Sequence, residues 1–198
     1  FSDGGLALAP EAALARARAL VAAGADLLDI GGESTRPGAE DVPEAGEIAR
    51  TVPVIAAIRA LGIATPISID TRKAAVAAAA LAAGADMVND VSAMAYDPGM
   101  AAVVARAGVP VCLMHAQGTP QTMQQSPRYG DVLQEVHDFL AARIEHALDQ
   151  GIARERLIVD PGIGFGKTLR HNLTLLSGLS LFHNLGVAVL FGASLKKF

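Results

Sequence analysis

The feature that most restricts this sequence is an alternation: short apolar runs of β type recur along the chain, each separated from the next by a longer segment with helical character. Six runs fit, at residues 27–31, 66–70, 87–91, 109–115, 157–160 and 187–192. Such alternation predicts βαβ units and a parallel sheet, and near-continuous apolarity suits strands covered on both faces. The helical segments carry their own punctuation. Pro10 suits a first turn, and Ala13, Ala17, Leu20 and Val21 repeat at helical spacing until Gly24. Asp97 and Pro98 read as a cap and first-turn pair, with Gly108 as the stop. Over 131–150, Val132, Val136, Phe139, Leu140, Ile144 and Leu148 make one stripe, which leaves His137 and His146 as solvated helix residues.

Alternation by itself leaves an open doubly wound sheet and a closed barrel. The polar residues favour the barrel, because every run but the last leads into Asp, Asn or His, whereas a doubly wound sheet supplies one crevice from neighbouring strands. A complete barrel takes about 200 to 400 residues, and this chain has 198. The expectation is therefore one α/β domain over residues 1–198, a (β/α)8 TIM-type barrel in which six strands are present and the first and eighth are missing.

Charged residues make up 18% of the chain, and no apolar run approaches the roughly 20 residues of a membrane span. No export signal precedes the first helix, so a cytoplasmic location is expected. A net charge of -4 without a basic cluster argues against nucleic acid and for a small-molecule partner. The single cysteine, Cys112, lies inside an apolar run and reads as a small buried hydrophobe.

A barrel would bring the strand ends to one face. Asp70 and Asp160 sit at the tops of apolar strands, where a carboxylate needs a partner. With Asn89 they form a set of acceptors suited to a planar heterocycle rich in N–H donors, and a guanidine-like edge would pair with a carboxylate through two parallel hydrogen bonds. Lys196 could cover the acceptors of the same ring. In the loop from Glu33 to Ala39, Ser34, Thr35 and Arg36 offer donors to a phosphate, while Pro37 and Gly38 shape the backbone. The glycine-rich stretch from Gly162 to Thr168 is not a nucleotide loop, since Pro161 occupies a position where that motif needs glycine. It reads as a close backbone approach to a ligand, with Phe165 as a flat apolar wall rather than core. His115 reads as a satisfied structural histidine and His171 as a helix residue.

These segments resemble the dihydropteroate synthase family. The matching stretches are Phe1-Ser-Asp-Gly-Gly5, residues 29–39, Ser68 to Thr71, Asn89-Asp-Val91, His115 with Gly118-Thr-Pro120, Asp160 to Lys167, and residues 192–198. The resemblance implies a barrel that condenses 6-hydroxymethyl-7,8-dihydropterin diphosphate with 4-aminobenzoate, with Mg2+ assisting departure of the diphosphate. It implies that Asp70, Asn89, Asp160 and Lys196 hold the pterin and that Thr35 and Arg36 lie near the diphosphate. Phe1, Pro37, Phe165, Ser194 and Lys197 would line the aminobenzoate pocket, and Asp3, Arg36 and Lys196 would be catalytic. The family's metal-binding Asn falls before Phe1, so no metal ligand is expected within this chain, and the resemblance implies a homodimer. Leu195 departs from the family's usual Arg, with Lys197 as the compensating charge. Two rivals remain: a pterin-binding methyltransferase using a methyl-folate and a corrinoid partner, and an inactive pterin-binding fragment. The Ser34-Thr-Arg-Pro-Gly38 loop and the Ser-x-Lys end favour the synthase.

Overall fold

A computed structural model describes residues 10–35, 39–118, 123 and 127–192. Helices and strands alternate as α1 (Pro10–Ala22), β1 (Leu28–Gly31), α2 (Glu44–Ala60), β2 (Ile67–Asp70), α3 (Ala74–Ala82), β3 (Met87–Asp90), α4 (Met100–Ala107), β4 (Val111–Met114), α5 (Val132–Asp149), β5 (Leu157–Asp160), α6 (Leu169–Ser177) and β6 (Ala188–Val189). Short 3-10 segments at Arg154–Arg156 and Leu179–Leu185 lead into β5 and β6. All six expected strands are present, most of them trimmed by a residue or more where regular pairing stops.

The strands form one parallel sheet in the order β1-β2-β3-β4-β5-β6. A doubly wound sheet reverses its order at a switch point; this one does not. Sequential order with right-handed crossovers puts every helix on the same face, the arrangement of a barrel wall. Among the described residues the wall is not closed, β1 and β6 being its two edges.

Register then sorts the side chains. Residues paired across parallel strands share a face, and neighbours along a strand alternate. Leu28 pairs with Ile67 and Ile30 with Ile69, Val88 with Val111, and Leu113 with Val159. Of these, Leu28, Ile67, Ile69, Val88, Val111, Leu113 and Val159 are buried in the main core with Ile55, Ile58, Val76, Val104, Leu140, Ile144 and Phe182 from the helical layer. The opposite face carries Asp29 beside Ser68, Asp70 beside Asn89, Asn89 beside Cys112 and Met114 beside Asp160. Apart from Asp90, the strands are thus apolar toward the helices, while β1, β2, β3 and β5 carry polar side chains toward the barrel interior.

Two helix boundaries are instructive. Asp131 caps α5, accepting from the backbone N–H of Leu133 at 3.0 Å and of Gln134 at 3.2 Å, and the expected stripe faces the core, with Val132, Val136, Leu140 and Ile144 buried. His137 and His146 are half-buried at the edges of that stripe rather than fully solvated. α4 differs from expectation at its start: Asp97 and Pro98 form a turn before the helix, and Gly99 is the cap. Asp97 accepts from the N–H of Gly99 and of Ala74, both at 2.8 Å, so its carboxylate ties the entry of α4 to the first residue of α3. Among the described residues no helix is long and apolar enough to cross a membrane.

Candidate active site

The tops of β1 to β5 bring Asp29, Asp70, Asn89 and Asp160 onto the interior face. Asp70 is 7% exposed, and its Oδ1 has no partner among the described residues. Burial pushes this carboxyl well above the usual carboxylate range, and the nearby Asp29 charge raises it further. Asp29 accepts from the Ser68 hydroxyl, and Asn89 Nδ2 lies 3.5 Å from Asp29 Oδ2. Desolvation raises the Asp29 carboxyl, against which both donors act. Asp160 is buried and accepts from the N–H of Gly162 at 2.7 Å, so the carboxylate also shapes the turn that follows it.

That turn is fixed to the top of β4. Lys167 is 3% exposed, and its Nζ donates to the carbonyls of Gly162 at 2.9 Å, Phe165 at 3.0 Å and His115 at 3.2 Å. The same ammonium lies 2.9 Å from His115 Nδ1. An ammonium only donates, so Nδ1 is the acceptor and the ring is neutral. Burial, reinforced by the Lys167 charge, lowers the His115 pKa to about 3. His115 is therefore the structural histidine expected, with Phe139 edge-on at 4.9 Å. Gly162 and Gly166 have φ +68° and +62°, and a Cβ at either would fall 1.9 Å from the His115 carbonyl oxygen or 2.3 Å from that of Gln117. Only glycine fits these two positions.

Phe165 departs from expectation. It is 8% exposed and packs with Val91, Met114 and Met123 in a small second apolar cluster. The flanking glycines do not strip it of neighbours, because those neighbours come from β4, the end of β3 and a distant loop. His171 is a helix residue, as expected: its backbone N–H donates to Thr168 Oγ1 at 3.3 Å and its ring accepts from the Thr168 N–H at 3.2 Å, a reciprocal cap on α6. Cys112 is fully buried in β4, and burial pushes its thiol well up.

The loop after β1 is anchored by charges that sequence reasoning did not pair. Lys73 Nζ contacts Glu33 and donates to Glu47 Oε2 at 2.8 Å and the Val42 carbonyl at 2.7 Å. Arg72 bonds Glu33 at 2.8 Å and Asp41 at 2.7 Å, with its guanidinium 4.1 Å from the centre of the Tyr96 ring. Just beyond this stem Thr35 is buried, and its Oγ1 has no partner among the described residues. Of the other expected site residues, Phe1, Asp3, Arg36, Pro37, Ser194, Lys196 and Lys197 lie outside the described residues, as does Leu195.

A parallel barrel wall whose interior face carries three carboxylates and an amide toward the strand tops, with a polar loop after β1, defines an enzyme site for a small heterocycle. The chain belongs to the pterin-binding enzyme family, whose model matches residues 1–198. It is 47% identical over 198 residues to the dihydropteroate synthase of Synechocystis sp., covering 100% of this chain and 68% of that protein. Among solved structures it is similar to the Xanthomonas albilineans dihydropteroate synthase with 4-aminobenzoic acid, with a TM-score of 0.90 and 50% identity over 100% of this chain and 69% of that one. The Yersinia pestis enzyme in complex with a sulfonamide drug gives 0.93 and 45%, over 97% of this chain and 69% of that one.

Proposed function

We propose that this protein is a transferase of the dihydropteroate synthase type, joining 6-hydroxymethyl-7,8-dihydropterin diphosphate to 4-aminobenzoate and releasing diphosphate in folate biosynthesis. The observation that carries this reading is the interior row of Asp70, Asn89 and Asp160, in which a buried oxygen of Asp70 has no partner among the described residues. Such an oxygen is costly to bury alone and is satisfied by a donor-rich ring. In the reaction the bond from the pterin methylene to diphosphate oxygen breaks, the aminobenzoate nitrogen forms the new carbon–nitrogen bond, and the amine loses a proton. Carboxylates at the strand tops stabilise the cationic pterin between these two events.

In this reading Lys196 joins the pterin set, Thr35 and Arg36 hold the diphosphate, and Asp3, Arg36 and Lys196 act on the reacting groups. Phe1, Pro37, Phe165, Ser194 and Lys197 surround the aminobenzoate, the pocket that a sulfonamide would enter. Mg2+ belongs to the proposal as an aid to the leaving diphosphate. The described residues contain no group of three or more His, Cys, Asp or Glu able to hold a metal, so they do not by themselves make its site. We place the enzyme in the cytoplasm, as a single-domain homodimer acting on small molecules. The test is release of diphosphate from the pterin substrate, which should require 4-aminobenzoate and yield 7,8-dihydropteroate. Turnover of a methyl-folate with a corrinoid protein in its place would overturn the proposal.

A further inference from the structure

We infer that Asp29 is a positioning residue for Asn89, and through it sets which edge of the pterin the site accepts. The inference rests on the pterin-binding reading. Asp29 lies on β1 and Asn89 on β3, and on the interior of a barrel wall the side chains of alternate strands share a layer. They meet here because the β2 residue paired with Asp29 is Ser68, small, buried and itself a donor to Asp29 Oδ1. Over it, Asn89 Nδ2 reaches to 3.5 Å from Asp29 Oδ2.

The chemistry of the pair selects one orientation. A carboxylate only accepts, so the Asn89 amide turns its NH2 toward Asp29 and keeps its carbonyl oxygen as the arm offered to a ligand. No described residue bonds that oxygen. Beside it, in register, stands Asp70, whose Oδ1 also has no described partner. Two acceptors side by side select a ring edge with two N–H donors. Without Asp29 the amide is free to rotate and present NH2 in place of the carbonyl, setting donor against donor.

The test is a double-mutant cycle read by calorimetric titration of 6-hydroxymethyl-7,8-dihydropterin into the wild type, Asp29→Ala, Asn89→Ala and the double variant. Each single change is expected to weaken binding about tenfold, the scale of one hydrogen bond in its proper orientation. Because Asp29 acts through Asn89, the double variant should bind no more weakly than Asn89→Ala alone. Losses that multiply in the double variant overturn the inference while leaving the pterin site standing; absence of binding by the wild type overturns both. Should Asp29→Ala fail to fold, Asp29→Asn replaces it: a smaller loss is expected, also vanishing in the Asn89→Ala background, and a loss that persists there overturns the inference.

Discussion

The two faces of one sheet differ in character, with Asp90 the one described strand carboxylate on the helical side. Toward the helices, Ile67, Ile69, Val88, Val111, Leu113 and Val159 are all fully buried against apolar partners. Toward the barrel interior, residues one step along the same strands include a buried carboxylate whose environment raises its pKa. The lesson is that stability and ligand recognition are separated here by a single alternation of the backbone, not by domain or element.

The comparison can be broken most sharply on the helix side. Ile69→Ala empties a fully buried position and is expected to cost about 2–5 kcal/mol in denaturant unfolding. Ligand affinity measured under conditions where the variant is still folded should stay close to wild type. Gly162→Ala tests the seam between the two faces. Its new methyl would collide with the His115 carbonyl at a positive φ, so about 1–3 kcal/mol of strain is expected, together with weaker pterin binding as the loop shifts.

On the interior side, Asp160→Asn should weaken pterin binding by about 1–3 kcal/mol through loss of a charge-assisted bond, with little change in melting temperature; unchanged affinity by calorimetry would remove Asp160 from the pterin set. The smallest effect carries the opposite sign. Asp70 holds its proton to higher pH in the folded chain than in the unfolded one, where its value is near 3.8. The native state thus binds more protons between that value and its own raised one, and stability falls as pH rises through that window. Asp70→Asn should therefore stabilise the ligand-free protein at pH values above that window, seen as a higher melting temperature, the gain fading below pH 3.8. The same variant should bind pterin less well, and a variant that loses stability at neutral pH would contradict the raised carboxyl.

Much of this was legible in the sequence, because local features dictate it. Apolar runs marked each strand, and Gly108 marked the end of α4, where it sits at φ 63°. The polar ends of Asp70, Asn89 and Asp160 pointed to one face, and register places all three there. What escaped depends on contacts between distant segments. Asp29 opens the loop motif, but its inward direction follows from pairing with Ser68, which no run of residues announces. Adjacent Asn89 and Asp90 look alike as strand-end residues; Asp90 instead faces the helical side and accepts from Ser92 and Met94 backbone N–H groups, both at 2.8 Å. The cluster of Lys73 with Glu33 and Glu47 joins positions 40 and 26 residues apart, and Phe165 found its packing partners in distant segments, at Val91, Met114 and Met123.

The Lys167 ammonium holds the loop after β5 by its main-chain carbonyls at Gly162 and Phe165. A clamp on backbone oxygen does not read side-chain identity. The curve of the chain between Gly162 and Gly166 is therefore set by the clamp and the two glycines, while Ile163 and Phe165 pack into the two apolar clusters. Substitutions at those two positions would cost packing while leaving in place the backbone frame that presents Asp160.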